Sequence, residues 1–556
     1  MDDRQAKRII ILVFAFFLAF SLRFKVETYQ NHGFFDDEAV YYMMAYSIAF
    51  DGDLVYAKED LMRTSEFYGG LPQGIFLKKT KKGIFFAKSY AYPLITAPFV
   101  RIFKNRGFFV LAAILLLIDL LIIYSVSRKK FSPNTSLLIA LSVMFLSVIW
   151  GYSLWISTEF FNFSLGLIIL YWGLEKEKFL YPALAAFILG FFTFSKLTNA
   201  LFALPLIGVR FFSFRWKEIL KSVLLGVIFV SSVGTFFLIE KVHTGEWNYM
   251  GGERRSFYYH FPYESKKITF KKGNLMTTED YWQRFYLTPK VFILNLYYFF
   301  TGRFAGLLIY FLPALLILVA FRGGGLKPWL LFLSILIGIL SSISLMPDNF
   351  IGGGGCLGNR YFPNIYPLFI FLIPYAAKWF YKPSWIAILF LYPLYLAPIY
   401  TSSFPATIGK MGFRDLFPVE MTQINSLPTN INPHAFRVPY GKTFLYHLDD
   451  NFYGIEKRYI LLKGNSKSEI VLALPLEAKK IRFWLKGKGP LIFEFQGIKR
   501  KMNLNGEKTF EVPLRRWTLL KNFKLVQLNI KSMFSRELIK RGKSFFCGAK
   551  VKIEVF

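Results

Sequence analysis

Two cysteines and five histidines are all that this 556-residue chain has of the residues most used to cross-link a fold or hold a transition metal. Cys356 and Cys547 lie far apart, which excludes a disulfide framework. His32, His243, His260, His434 and His447 are scattered, and no HExxH, paired CxxC or serine elbow occurs. Gly352-Gly353-Gly354-Gly355 is not followed by the Lys-Ser/Thr that grips nucleotide phosphates. Zinc-hydrolase and nucleotide-driven chemistries are set aside on these grounds. Acids are also scarce, with 35 Asp and Glu against 68 Lys and Arg. Nucleic acid is one partner for such a charge. In a membrane protein the same balance reflects cytoplasmic loops and anionic lipid head groups, and no nucleic-acid partner is expected here.

Apolar residues make up 54% of the chain, and the mean hydropathy is +0.38. Apolar runs of this number and length belong to a multi-pass membrane protein. Eleven stretches suit spanning helices of about 20 residues: 9–24, 107–127, 135–153, 158–174, 179–195, 199–213, 219–240, 303–321, 328–346, 361–377 and 384–400. No small-residue cleavage site follows the first of them, so it reads as a retained span. Short basic connections such as Arg128-Lys129-Lys130 and Arg210 to Lys217 alternate with longer ones. By the positive-inside rule the basic connections are cytoplasmic. Segments 25–106, 241–302 and 346–360, and everything after about 400, then lie outside a plasma (inner) membrane.

Within the first outer segment, Asp37 to Phe50 predicts an amphipathic helix stopped by Asp51-Gly52-Asp53, and Ala91 to Phe99 a short helix opened by Pro93. A linker is expected over 401–442. From 443 to 556, short alternating runs separated by turn residues predict an extracytoplasmic all-β sandwich, jelly-roll-like. The runs are Arg458–Leu462, Glu469–Leu474, Lys480–Leu485, Leu491–Gln496, Lys508–Val512, Lys524–Ile530 and Lys550–Phe556. Lys and Arg outnumber Asp and Glu there by more than two to one, which suits solubility, anionic lipid or anionic glycan alike.

Charges beside a bilayer are costly unless paired, solvated or useful. Asp36-Asp37-Glu38 follows the first span, Glu159 opens the fourth, Lys196 and Asn199 lie between the fifth and sixth, Arg303 precedes the eighth and Arg360 the tenth. The alternation puts them all at the outer face. Carboxylates there can accept a proton from a hydroxyl nucleophile, and Lys or Arg can neutralise a departing phosphate. Glycosyl transfer from a lipid-phosphate sugar fits this set; a lipid transporter or flippase fits it less specifically. Three adjacent acids also permit a divalent cation at Asp36, Asp37 and Glu38 without requiring one.

Asp37-Glu38-Ala39-Val40-Tyr41 with Ala45 and Asp51-Gly52-Asp53 resembles the first external loop of the GT-C class of membrane glycosyltransferases. The protein O-mannosyltransferases and lipid A aminoarabinose transferases are the relatives meant. Ala91-Tyr92-Pro93-Leu94, Lys196-Leu197-Thr198-Asn199 and Gly358-Asn359-Arg360-Tyr361-Phe362 match that class in place and order over residues 1–400. The resemblance implies a polyprenyl-phosphate-linked sugar donor, a lipid, glycan or protein acceptor, and Asp37 as catalytic base, with Glu159 the second acid by position. Lys88 stands near the place of a donor-phosphate lysine, but Lys88-Ser89-Tyr90-Ala91-Tyr92-Pro93 departs from the lysine-proline-proline pattern and leaves that role open. The tryptophan-rich signature of oligosaccharyltransferases is absent. By strand pattern alone, the C-terminal part resembles carbohydrate-binding-like jelly rolls of some arabinosyltransferases.

The expectation is an inverting glycosyltransferase with Asp37 as base, Glu38 and Asp36 in support, and the leaving phosphate held by Arg360, Lys196 or Arg303. A flippase would instead work through an ionisable group inside a span, for which Asp119 is the candidate. A receptor holding glycan on its sandwich would leave the acid triplet unused.

Overall fold

The computed structural model describes residues 2–25, 34, 36–276, 287–353, 358–377, 416–427, 437–449, 451–540 and 543–556. Cys356, the eleventh predicted span and most of the 401–442 linker lie outside the described residues. The chain divides into two compact units. The first holds Met1–Phe285, Gly306–Met346 and Leu357–Ser403; the second holds Tyr286–Ala305, Pro347–Cys356 and Phe404–Phe556.

The first unit is mainly helical. Its elements begin α1 (Asp3–Arg23), α2 (Asp36–Phe50), α3 (Lys58–Tyr68), β1 (Gly74–Thr80), β2 (Gly83–Phe86), α4 (Ala91–Phe103), α5 (Gly107–Ser127) and α6 (Pro133–Phe145). They continue with α7 (Ile149–Tyr152), α8 (Thr158–Glu175), α9 (Leu180–Ser195), α10 (Ala203–Phe211), α11 (Trp216–Thr244), β3 (Glu253–Tyr258) and β4 (Asn274–Leu275). Helical segments lie over each of the first ten predicted spans. Among the described residues four are long and apolar enough to cross a membrane by length and composition: Asp3–Arg23, Ala91–Ser127, Trp216–Thr244 and Leu326–Leu345. The others are shorter, for local reasons. Between 361 and 377 the chain forms three helical pieces, each with a proline in its first turn (Pro363, Pro367, Pro374). A proline is tolerated at a helix start and breaks a helix interior. Near 146–148 the 135–153 stretch leaves the helix, and Val148 N–H donates to the Tyr310 carbonyl instead.

The helix expected from Asp37 is α2, and it stops where Gly52 takes φ +74°; it is not amphipathic, since Glu38 to Ser47 are buried without a break over almost three turns. Asp53 Oδ1 accepts from Val55 N–H at 3.0 Å, and Asp51 pairs with Arg63 at 2.7 Å. Asp51-Gly52-Asp53 is thus a turn device. One feature was not foreseen in the sequence. Strands from both long predicted outer segments combine into a four-stranded sheet ordered β2-β1-β3-β4, all antiparallel. The fully buried Lys78 of β1 is ion-paired with Glu240 near the end of α11 and ties the sheet to that helix.

In the second unit, helix Pro289–Thr301 accompanies eleven antiparallel strands in one hydrogen-bonded network. They are β5 (Arg437–Tyr440), β6 (Thr443–His447), β7 (Phe452–Glu456), β8 (Tyr459–Lys463), β9 (Lys467–Pro475), β10 (Lys480–Phe495), β11 (Ile498–Pro513), β12 (Thr518–Leu520), β13 (Phe523–Ser532), β14 (Arg536–Lys540) and β15 (Lys543–Val555). The main path runs β5-β6-β9-β13-β10-β15-β8-β7. Two runs read separately from sequence are both β10. Its first half pairs with β15 and its second half with β13, the change falling at Gly487-Lys488-Gly489-Pro490, where Gly489 has φ +121°. One strand therefore joins what two separate sheets would hold apart, around a core including Ile460, Leu472, Phe483, Phe493, Leu528 and Val551.

The contact of α4 with α5 depends on Gly107, where an added Cβ would lie 2.4 Å from the Phe99 carbonyl carbon. Gly107→Ala should cost about 1–3 kcal/mol and lower the unfolding temperature in detergent. Gly226→Ala on α11, with nothing within 4 Å, is the control and should not lower it.

Candidate functional site

The N-terminus of α2 begins at Asp36, whose backbone is left-handed at φ +49°, a conformation Asp tolerates better than most residues. Three carboxylates in a first helical turn suit the positive end of the helix dipole. Side chains one residue apart on a helix diverge, and these three take different surroundings. Asp37 is bound on both oxygens: Lys88 Nζ reaches Oδ1 at 2.5 Å, and the Arg360 guanidinium reaches Oδ2. Arg360 Nε also donates to Glu159 Oε1 at 2.7 Å. Glu159 is buried, and its other oxygen has no hydrogen-bond partner among the described residues. Lys196 Nζ lies 3.7 Å from the centroid of the Tyr361 ring, next in sequence to Arg360.

A buried polar network fixes these groups from below. Asn162, one turn after Glu159 on α8, donates to Asn364 Oδ1 at 3.0 Å, and Ser195 donates to Asn162 Oδ1 at 2.9 Å. Asn364 follows Arg360 by four residues and Ser195 precedes Lys196. The network therefore joins the three segments that carry Glu159, Arg360 and Lys196. Lys88 follows β2, where Ala87 N–H donates to the Phe76 carbonyl at 3.1 Å, and its ammonium is 5.0 Å from the Phe76 ring centroid. On the other side α2 is held by Tyr42 and Tyr46, whose hydroxyls both donate to Asn105 Oδ1 at 2.7 Å.

These surroundings separate the titrations. Burial by itself would raise the Asp37 carboxyl, but the charges of Lys88 and Arg360 outweigh it and hold the group well below the usual carboxylate range. Burial, then the adjacent Asp37 charge, pushes Asp36 up to about 6. Burial also raises Glu38 well above its ordinary value. Burial draws Lys196 down to about 7; the Glu159 charge opposes this and the Arg360 charge adds to it.

Asp36, Asp37, Glu38, Glu159, Lys88, Lys196 and Arg360 all belong to the first unit and act on one another. Arg303 belongs to the second unit, where it is buried, paired with Glu469, and donates from Nε to the Phe417 carbonyl at 3.1 Å. The divalent-cation site at the acid triplet is not assembled. Among the described residues no group of three His, Cys, Asp or Glu side chains is placed to hold a metal, and both Asp37 oxygens already face cations. Asp119 is buried on α5 and accepts from the Ser164 hydroxyl at 2.7 Å. Sequence reasoning missed Tyr258 of β3, whose ring shares the space beside Gly74 with Asp36 Oδ1, and the aromatic surround. Trp155 lies 5.4 Å from the Arg360 guanidinium carbon, and Tyr41 and Tyr92 meet edge to face. Trp155 and Tyr92 also line a narrow cleft with Phe108, Leu111, Leu115 and Phe161, with room for about one water molecule.

The fold and site together are those of a helical membrane-type protein with a largely buried acid–base cluster beside a narrow aromatic-lined cleft. Over 70% of its length the chain is similar to ArnT from Cupriavidus metallidurans bound to undecaprenyl phosphate, at 13% identity and a TM-score of 0.41. To ArnT from the same organism in the apo state it is similar over 70%, at 13% identity and a TM-score of 0.39. In both cases it spans 63% of the other chain. Over 21% of its length it is also similar to the secreted serine protease VesC from Vibrio cholerae, covering 25% of that chain at 13% identity and a TM-score of 0.15. No protein-family model and no curated protein matches the chain. Superpositions this loose transfer no role to any residue.

Two outcomes are expected. Asp37 and Arg360 are partly buried, so removing one leaves the other charge uncompensated at up to about 3–5 kcal/mol, the figure for a fully buried pair. Arg360→Met should therefore lower the unfolding temperature strongly, and adding Asp37→Asn should restore part of the loss; strictly additive shifts would show that the pair is not coupled. The second concerns pH. The folded chain keeps the Asp36 proton to higher pH than the unfolded chain, so its contribution is present at acid pH and fades from 3.8 to about 6. Asp36→Asn should flatten that part of the stability–pH curve, read as unfolding temperature from pH 4 to 7; an unchanged slope would contradict it.

Proposed function

We propose that the chain is an inverting glycosyltransferase moving a sugar from a polyprenyl-phosphate donor to a hydroxyl of a lipid, glycan or protein acceptor. The observation that carries the reading is the pair of cations on Asp37. Lys88 and Arg360 are what a leaving phosphate needs, and they hold the carboxylate that the acceptor proton needs.

Asp37 takes the acceptor hydroxyl proton while the acceptor oxygen attacks the anomeric carbon. The bond from that carbon to the phosphate oxygen breaks, and its electron pair leaves on the polyprenyl phosphate. Lys88 and Arg360 neutralise the new charge, with Lys196 adjacent at Tyr361. Before the donor arrives, the same two cations make Asp37 a weak base. A phosphate that draws them away raises the carboxylate toward its ordinary range, so the donor prepares the base. Glu159 keeps Arg360 aimed by its hydrogen bond to Nε. The positive-inside pattern supports a site at the outer face of a plasma (inner) membrane.

Purified in detergent and assayed below its own unfolding temperature, which loss of the charge opposite Lys88 and Arg360 should lower, Asp37→Asn should lose about 10²–10⁴-fold in transfer from a polyprenyl-phosphate sugar. Transfer at the wild-type rate by that variant would remove Asp37 from the role of base.

A further inference from the structure

The second unit contains a cavity of about 740 Å³, counted with its mouth, between β10, β13 and the chain that follows β11. Its lining combines an aromatic ring with polar groups, two of which, the Glu494 carboxylate and Asn529 Oδ1, make no hydrogen bond among the described residues. Trp517 stands at the rim, 37% exposed. The Lys524 ammonium lies 4.8 Å from its ring centroid, and Lys290 donates to its carbonyl at 3.3 Å. The chain leading to it is latched by Gln496, whose Oε1 accepts from the N–H groups of Arg515 at 2.8 Å and Arg516 at 3.0 Å.

Beside this ring, Glu494 of β10 stands directly opposite Asn529 of β13. Residues paired in this way present their side chains on the same face of a sheet. Both line the cavity. Asn529 Oδ1 is buried with no hydrogen-bond partner, and Glu494 has no hydrogen bond or ion pair among the described residues. A buried polar atom without a partner costs free energy, which a ligand that donates to it would recover. The polar acceptors are a carboxylate and an amide side by side, and Arg516 at the rim is a donor.

We propose that this cavity is a saccharide subsite that takes one or two units of a neutral oligosaccharide. The apolar C–H face of a pyranose lies against Trp517, as flat apolar groups do on aromatic rings. Its hydroxyls donate to Glu494 and Asn529 and accept from Arg516. An anionic chain would meet Glu494 head on, so the surplus of Lys and Arg elsewhere on this unit does not define the ligand. The inference does not rest on the transferase reading, since every residue involved belongs to the second unit.

Isothermal titration of the full chain in detergent tests it, with neutral cello-, manno-, xylo- and galacto-tetraoses and an acidic heparin-derived tetrasaccharide as probes. At least one neutral tetraose should bind saturably. Trp517→Ala should weaken it by about tenfold or more, and Trp517→Phe by less. Glu494→Gln, which keeps shape and removes the charge, should weaken the same probe. Three results would overturn the proposal: no neutral tetraose binds, only the acidic one binds, or binding is unchanged in both Trp517→Ala and Glu494→Gln.

Discussion

The structure of the first unit turns on one electrostatic arrangement, a carboxylate held between two cations in a place with little water. Alone, any of Asp37, Lys88 or Arg360 would be expensive to bury; together with Glu159 they share the cost. The elements that supply them are distant in sequence and follow different folding rules. Asp37 needs a helix start that accepts acids, Lys88 the end of a hairpin, Glu159 the first turn of an apolar helix, and Arg360 an irregular segment that opens at Gly358. That glycine has φ +62°, and an added Cβ would lie 2.8 Å from the Tyr310 side chain.

Much of the surrounding polar structure serves to hold that geometry. The contacts of Asn162 with Asn364 and Ser195 lie a turn or so away from the cluster and carry no net charge, so they can fix direction without competing for Arg360. On the far side the buried pair of Lys78 and Glu240 anchors the small sheet, and the sheet carries both Tyr258 and the hairpin leading to Lys88. Rigid supports around a mutually caged acid and base suit a site whose active state is produced by substrate charge.

Legibility from sequence followed locality. The helix from Asp37 could be read because helix formers run without interruption to an Asp-Gly-Asp stop. Glu159 and Arg360 stood out because a charge at the edge of an apolar run is conspicuous. Arg303 looked the same by that criterion, yet its partner is Glu469 in the second unit, 166 residues on. Pairing of β1 with β3 leaves no local signature, since partners such as Gly74 and Tyr258 lie far apart in sequence; Tyr258 was hidden with it. Residues 361–377 read as one span because their apolar run is continuous, although three prolines divide it. In the second unit β8, β9, β10, β11, β13 and β15 announced themselves by alternation, while β5, β6, β7, β12 and β14 did not; nor did the continuity of β10 through Gly487 to Pro490, because glycine and proline normally end strands.

The central claim is that Lys88 and Arg360 are a phosphate clamp held in readiness by Asp37. It is tested most directly by comparing, for the purified chain in detergent, the affinity for a polyprenyl phosphate with that for the polyprenol of the same length. The clamp predicts that the phosphate binds tighter by about tenfold or more. Equal affinities would show that the phosphate is not what these two cations hold, and the account would fail at its centre.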